Sequence, residues 1–133
     1  MAEGAVKAEA AKAGLAIEVD SAGTAAYHIG SPPDKRGLAT ARARGYDNSG
    51  QRARQVQAED FHAFDLIVAM DAANLAVLER RKPAGARAEI RLFHPHGKEI
   101  PDPYYGGPAD YEHALDMVEE SAVALVTALS RAP

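Results

Sequence analysis

Apolar and polar residues recur along this chain with two different periods, which predict helices and strands in alternation. Strong helix formers without proline run from Ala2 to Ala13, and Gly14 follows as a helix stop signal. An alternating segment from Leu15 to Asp20 predicts a strand that ends in a glycine-containing loop. The nearly continuous apolar run from Asp65 to Met70 predicts a short strand buried on both faces of a parallel sheet.

The remaining segments continue the alternation. A helix is predicted from Lys35 to Arg44, which Gly45 ends, with Asp34 available as its cap. A short helical turn is predicted from Ala58 to His62. Asp71 can cap a helix from Ala72 to Arg81. A third strand is predicted from Glu89 to Phe93.

The last predicted helix, from Ala109 to Ser130, has a stripe of apolar residues at helical spacing that we expect to be buried: Leu115, Val118, Ala122, Leu125, Val126 and Leu129. Strands that alternate with helices imply a doubly wound parallel α/β sheet, because right-handed crossovers place helices on both faces. The chain is 133 residues long, which fits one domain spanning 1–133.

Charge and cysteine content narrow the functional classes. The formal net charge of −4 gives no basic surface for nucleic acid or an anionic membrane, and no run approaches the roughly 18 apolar residues of a membrane span. We therefore expect a cytoplasmic protein. The chain contains no cysteine, which excludes disulfides, thiolate metal sites and a cysteine nucleophile within these 133 residues.

The loops after the predicted strands are where ligands bind in open α/β sheets. Asp102, between Pro101 and Pro103, can present a carboxylic acid at a fixed angle for proton donation, or can serve only as a turn residue. Three tyrosines near these loops can wall a pocket for an aromatic substrate or cover an apolar surface: Tyr27, Tyr104 and Tyr105.

Other polar residues also have two interpretations. Ser21 can orient a phosphate-binding loop or satisfy a turn, and Asp71 can support the site or only cap a helix. The histidines His94 and His96 suggest a metal, but no further ligands occur at a known spacing, so we expect a solvated loop. Arg52 and Arg54 are expected on a solvated face.

Taken in order, six segments resemble the low-molecular-weight protein-tyrosine-phosphatases over practically the whole chain: MAEG, VDSAGT, PPD, GYDNSGQRARQV, EDFHAFDLIVAMD and PDPYYGG. The resemblance implies a three-layer fold with a four-stranded parallel sheet in the order 2-1-3-4. It also implies that the first strand is followed by a phosphate-binding loop with a cysteine, five residues and an arginine. This chain contains neither that strand nor that loop, so the domain is expected to be incomplete before Met1.

The resemblance also implies roles for residues that are present. Asp102 aligns with the general acid that protonates the leaving phenolate, and Ser21 with a residue that supports the phosphate loop. Gln51 stands where many relatives have histidine. The resemblance implies that three aromatic residues hold the phosphotyrosyl ring: Tyr27, Tyr104 and Tyr105. No metal or other cofactor is implied.

These expectations lead to a specific functional hypothesis. The complete form is expected to hydrolyse phosphotyrosine or small aryl phosphates through a phosphocysteine, while the chain as written is expected to be inactive. A phosphotyrosine- or protein-binding remnant is the alternative, and the missing cysteines argue against an arsenate reductase. Three explanations for the missing segment are a start codon assigned too late, a deliberate cut before Met1 and a natural remnant, and the retention of Asp102, Tyr104 and Tyr105 favours the first over the last. The absent strand belongs between Leu15–Asp20 and Asp65–Met70, so we expect poor stability or association through the open sheet.

Overall fold

Helices and strands alternate along the chain in the structure, a computed structural model that describes residues 2–23, 35–46, 54–103 and 106–131. The elements, in chain order, are α1 (Ala2–Lys12), α2 (Lys35–Ala43), α3 (Asp60–Ala63), β1 (Leu66–Ala69), α4 (Ala72–Arg81), β2 (Glu89–Leu92) and α5 (Pro108–Arg131). Helix α4 has the predicted bounds, and α1, α2 and α5 agree to within one residue at each end. Helix α3 begins two residues later than predicted.

Glycines end the first two helices, as the sequence predicts. Leu15 N–H donates to the Ala10 carbonyl at 2.9 Å, and Gly14 N–H donates to the Ala11 carbonyl at 3.2 Å, which is the hydrogen-bond pattern of a Schellman cap. This cap requires a left-handed residue, and Gly14 has φ of 66°. Gly45, with φ of 88°, ends α2 in the same way.

Strands β1 and β2 form a parallel pair, with Leu66 opposite Glu89 and Ala69 opposite Leu92. A parallel connection needs a crossover, and α4 supplies it between the two strands. The fold class is therefore confirmed as α/β with a short parallel sheet. The adjacency of β1 and β2 agrees with that of the third and fourth strands in the expected order.

Side chains of the two strands alternate between two apolar clusters, one on each face of the sheet. The first cluster contains residues of α1, α2 and α5 together with two alternate residues of β1, Leu66 and Val68, and the residues that directly follow the two strands, Met70 and Phe93. The second contains Phe61 of α3 and Leu78 of α4 together with two pairs of strand residues that lie opposite each other, Ile67 with Ile90 and Ala69 with Leu92. The arrangement is a three-layer one, with helices on both faces.

Helix α5 buries the predicted stripe against the sheet and α1. Leu115, Val118, Ala122, Leu125 and Val126 are buried, and Leu129 is half-buried against the same cluster. The opposite face of α5 includes Val123, which is 45% exposed. Among the helices that the structure describes, none combines the length and the apolar character needed to cross a membrane.

Two strand predictions were wrong in detail. Leu15–Asp20 forms no regular strand, and the one isolated bridge among the described residues, between Gly23 and Gln55, lies beyond this segment. Leu15 and Val19 still pack on the first cluster, while Ile17 is 38% exposed. Strand β1 is only half-buried over its first three residues, because among the described residues it pairs with a strand on one side alone. Association through that open side stays a prediction.

We expect Leu115→Ala to lower the free energy of unfolding by about 2–5 kcal/mol, because Leu115 is fully buried and its truncation leaves a cavity. Val123→Ala, on the exposed face of the same helix, should change it by less than about 0.5 kcal/mol. Urea unfolding followed by circular dichroism measures both values. Equal effects of the two substitutions would contradict the burial pattern assigned to α5.

Candidate functional site

Ser21 links the loop that follows residues 15–20 to the first turn of α1 by a hydrogen bond. Its Oγ donates a hydrogen bond to Glu3 Oε1 at 2.6 Å, and its N–H donates to Asp20 Oδ1 at 2.8 Å. The other Glu3 oxygen accepts from Lys7 Nζ at 2.8 Å. Burial acts to raise the pKa of the Glu3 carboxyl, but hydrogen bonds from Lys7 and Ser21 outweigh it and hold this pKa below its usual value. Ser21 therefore satisfies its turn and also links two segments.

Arg54 also holds this loop, through an ion pair with Asp20 and a backbone hydrogen bond to Gly23. Its guanidinium lies 3.0 and 3.2 Å from the two Asp60 carboxylate oxygens and 3.2 Å from Asp20 Oδ2. The backbone adds two bonds of 2.8 Å, from Gly23 N–H to the Arg54 carbonyl and from Val56 N–H to the Gly23 carbonyl. The expectation of a solvated face was wrong for Arg54, whose side chain is only 33% exposed and pairs with Asp60 and with Asp20, a residue distant in sequence.

Asp71 caps α4, as its sequence context predicts. Its Oδ1 accepts a hydrogen bond from Asn74 N–H at 2.8 Å, and its backbone is extended. A second carboxylate, that of Glu99, accepts from Ala72 N–H at 2.9 Å. The N-terminus of α4 is therefore held by its own cap and by a residue of the loop that follows β2. Whether Asp71 also supports catalysis stays a prediction.

Asp102 is exposed in this loop after β2, close to a backbone hydrogen bond that joins the loop to β1. Two residues before it, the buried Ile100 donates its N–H to the Met70 carbonyl at the carboxyl end of β1, at 2.8 Å. Just after it, the Pro103 carbonyl accepts from Gly106 N–H at 2.8 Å. Prolines on both sides of Asp102 restrict its backbone further. The carboxyl group is thus placed at the edge of the sheet where ligands bind in such folds.

The far end of the Asp102 loop is held by α2 and α5. Arg36 donates to the Gly106 carbonyl at 3.3 Å, and its guanidinium lies 5.0 Å from the centroid of the Tyr111 ring. Gly107 N–H donates to Asp110 Oδ2 at 2.9 Å, in the first turn of α5. A Cβ at Gly106 would collide with the Asp110 side chain, so only glycine fits this turn.

His94 is 2% exposed, so the expectation that it lies in a solvated loop was wrong. Its Nδ1 accepts from His96 N–H at 3.1 Å, which places the proton of a neutral ring on Nε2, 3.3 Å from Glu120 Oε2. His94 directly follows Phe93, which is buried in the first cluster, and it contacts α5 through Glu120. His96 itself is exposed, and within the described ranges no group of three or more ligand-type residues could hold a metal ion.

Several predicted site residues lie outside the described ranges, and their roles stay predictions. They are Tyr27, Asp34, Gln51, Arg52, Tyr104 and Tyr105. The structure brings Asp71 together with the Asp102 loop at the carboxyl end of β1, whereas Ser21 belongs to a second group with Glu3 and Arg54.

The contacts of three residues that hold these loops were not predicted from the sequence: Glu3, Arg54 and Glu99. Glu3 carries a weak signal, since acidic residues favour the first turn of a helix, but its bond to Ser21 is a tertiary contact. Glu99 sits in an irregular loop with no periodicity, so nothing in the sequence connects it with α4. The assembled site offers an exposed acid on a fixed loop and a hydroxyl fastened to a helix start, but no thiol.

Comparisons with known proteins identify the family to which these residues correspond. The family model described as low molecular weight phosphotyrosine protein phosphatase matches residues 1–132. A low molecular weight protein-tyrosine-phosphatase of Streptomyces coelicolor is 37% identical over 97% of this chain and 84% of its own length. The Schizosaccharomyces pombe low molecular weight phosphotyrosine protein phosphatase is 41% identical over 80% of this chain and 73% of its own length.

A solved structure supports the same assignment. The crystal structure of a protein tyrosine phosphatase from Entamoeba histolytica matches with a TM-score of 0.91 at 32% identity. The match covers 97% of this chain and 86% of that one. At this level of similarity, the arrangement of the helices and strands is shared over nearly the whole chain.

We expect Ser21→Ala to raise the pKa of Glu3 toward its ordinary value of 4.5, because one of the two hydrogen bonds that stabilise the carboxylate is lost. Since the folded pKa is depressed, the Glu3 contribution to stability is present above about pH 4.5 and is lost as the pH falls through the folded pKa. Ser21→Ala should therefore cost about 1 kcal/mol at pH 7 and less in acid.

A carbon-13 NMR titration of the Glu3 side-chain carboxyl measures this shift directly. Ser130→Ala, at an exposed position near the end of α5, is the matched control and should leave the titration unchanged. An identical Glu3 titration curve in the Ser21→Ala protein would show that the Ser21 hydroxyl does not stabilise this carboxylate.

Proposed function

Because this chain belongs to the low molecular weight phosphotyrosine protein phosphatase family, we propose that it forms the acid-bearing part of an enzyme for phosphotyrosine or small aryl phosphates. The observation that carries the proposal is the position of Asp102, exposed in a loop bonded to the carboxyl end of β1. The proposed compartment is the cytoplasm. With no cysteine, the 133-residue chain does not supply the nucleophile itself.

In the proposed reaction, a cysteine thiolate attacks phosphorus, so that a P–S bond forms while the P–O bond to the aryl group breaks. Asp102 donates its proton to the departing phenolate oxygen. Water then attacks phosphorus and releases phosphate from the thiolate, with the Asp102 carboxylate accepting a proton from that water. Rigid flanking prolines and the Ile100 anchor support this role, because a general acid must be held within hydrogen-bond reach of the leaving oxygen.

Other residues are assigned supporting roles in the same proposal. Ser21 holds the start of α1 through Glu3, and a phosphate loop that precedes this helix would be fixed by the same contact. Asp71 steadies α4 beside the acid loop. The aromatic walls of the substrate pocket are proposed to be Tyr27, Tyr104 and Tyr105. No metal takes part in the proposed chemistry.

We expect the purified 133-residue chain to show no hydrolysis of p-nitrophenyl phosphate above background. Loss of a covalent nucleophile costs about 10⁶-fold in well-studied hydrolases, which is enough to hide turnover. A protein extended at its N-terminus by an apolar strand and a Cys-x5-Arg loop should hydrolyse the ester and be inhibited by vanadate. The same extended protein with serine in place of the cysteine is the control.

Vanadate-sensitive turnover by the 133-residue chain would overturn the assignment of the nucleophile. Inactivity of the extended protein, together with binding of a phosphotyrosine peptide by the 133-residue chain, would instead favour a binding module.

We expect Asp102→Asn in the extended protein to slow hydrolysis of a phenyl phosphate by about 10²- to 10⁴-fold, because a poor leaving group needs protonation. A dinitrophenyl ester leaves without that help, so its burst of phenol release should be much less affected. Asp65→Asn provides a matched control at an exposed carboxylate and should change neither rate. Unchanged turnover of the phenyl ester by Asp102→Asn would show that Asp102 is only a turn residue and not the general acid.

A further inference from the structure

Glu99 connects the Asp102 loop directly to the N-terminus of α4. Its carboxylate accepts the N–H of Ala72, the first residue of α4, at 2.9 Å. The first N–H groups of an α-helix have no partner within the helix, so this donor depends on an acceptor from elsewhere. Asp71 serves a different donor, that of Asn74, and thus does not duplicate the Glu99 contact.

The position of Glu99 in the chain makes this contact a constraint on the acid. Glu99 lies three residues before Asp102. The next residue, Ile100, donates its N–H to the Met70 carbonyl at 2.8 Å. Met70 follows the last residue of β1, and Ala72, two positions later, is the first residue of α4. Two successive residues of the acid loop, Glu99 and Ile100, therefore bond to two points of one short segment, 70–72, and these bonds fix both the position and the direction of the chain entering Asp102.

Charge favours the same contact. A carboxylate beside the N-terminus of a ten-residue helix interacts favourably with the helix dipole, and a glutamine in its place would keep an acceptor oxygen but lose the charge. The upstream part of the loop is also fixed, since His94 is buried beside Glu120 of α5. The exposed segment between His94 and Ile100 is thus short, and Glu99 lies at its end.

We propose that Glu99 is a positioning residue for the general acid: its hydrogen bond to the start of α4 holds the Asp102 loop in the geometry needed for proton transfer. The catalytic part of this inference rests on the proposed function of Asp102. The contact itself can be tested without catalysis, in the 133-residue chain.

The first experiment measures amide hydrogen exchange by NMR in the 133-residue chain. Glu99→Ala should reduce protection of the Ala72 and Ile100 amides by about 3- to 10-fold, the value of one modest hydrogen bond. Lys98→Ala, at the exposed neighbouring position, is the matched control and should leave both amides unchanged. Unchanged protection at both amides in Glu99→Ala would overturn the proposal.

The second experiment uses the extended protein and compares leaving groups. Glu99→Ala should slow hydrolysis of phenyl phosphate by about 10-fold, since displacement of a catalytic group by a fraction of an ångström has effects of this order. The burst with a dinitrophenyl ester should change by less than about 2-fold, because that leaving group needs little protonation. Glu99→Gln should restore most of the phenyl phosphate rate, and Glu99→Ala should add little to Asp102→Asn.

The outcomes separate the two proposals. Equal losses on both esters, or no loss, in Glu99→Ala would overturn the positioning role while leaving Asp102 as the acid. If Asp102→Asn itself shows no preference for the good leaving group, the proposed function fails, and amide exchange alone still decides whether Glu99 holds the loop.

Discussion

The parallel pairing of β1 with β2 is the constraint on which the other elements depend. It forces a crossover, which α4 supplies, and it sends alternate side chains to opposite faces, where two separate apolar clusters form. Helices α1 and α5 cover one cluster, and α3 and α4 complete the other. The carboxyl ends of both strands also lie at one edge of the sheet, so the loops that follow them are brought together without any direct attraction between their functional groups.

Polar contacts then determine the course of the Asp102 and Ser21 loops. The loop with Asp102 has few apolar anchors, and its course is fixed by hydrogen bonds from Ile100 and Gly106 and by the carboxylate of Glu99. The loop with Ser21 is fixed similarly, between Glu3 on one side and Arg54 on the other. Such bonds contribute little stability individually, on the order of 1 kcal/mol, but they are directional and so determine where a side chain can act.

The segment Leu15–Asp20 shows how strongly a strand depends on a partner strand for its hydrogen bonds. Leu15–Asp20 has the alternation of a strand, and Leu15 and Val19 do contact the core, yet no ladder forms among the described residues. Alternation supplies the faces of a strand but not its hydrogen-bond partners. A backbone without a partner strand leaves its N–H and C=O groups to water, and the segment then lacks regular structure.

The sequence by itself determined the elements whose signals are local. The cap at Asp71, the glycine stops after α1 and α2, the buried stripe of α5 and the two strands of the sheet could be predicted, because each depends on neighbouring residues or on a period of 2 or 3.6. The absence of a thiol was equally plain, and the motifs around Ser21 and Asp102 indicated the family. Only the tertiary structure decided that His94 is buried, that Arg54 joins Asp20 to Asp60, and that Glu99 reaches the start of α4. These contacts join residues through space, and a polar side chain in an irregular loop has no periodicity that could reveal its partner.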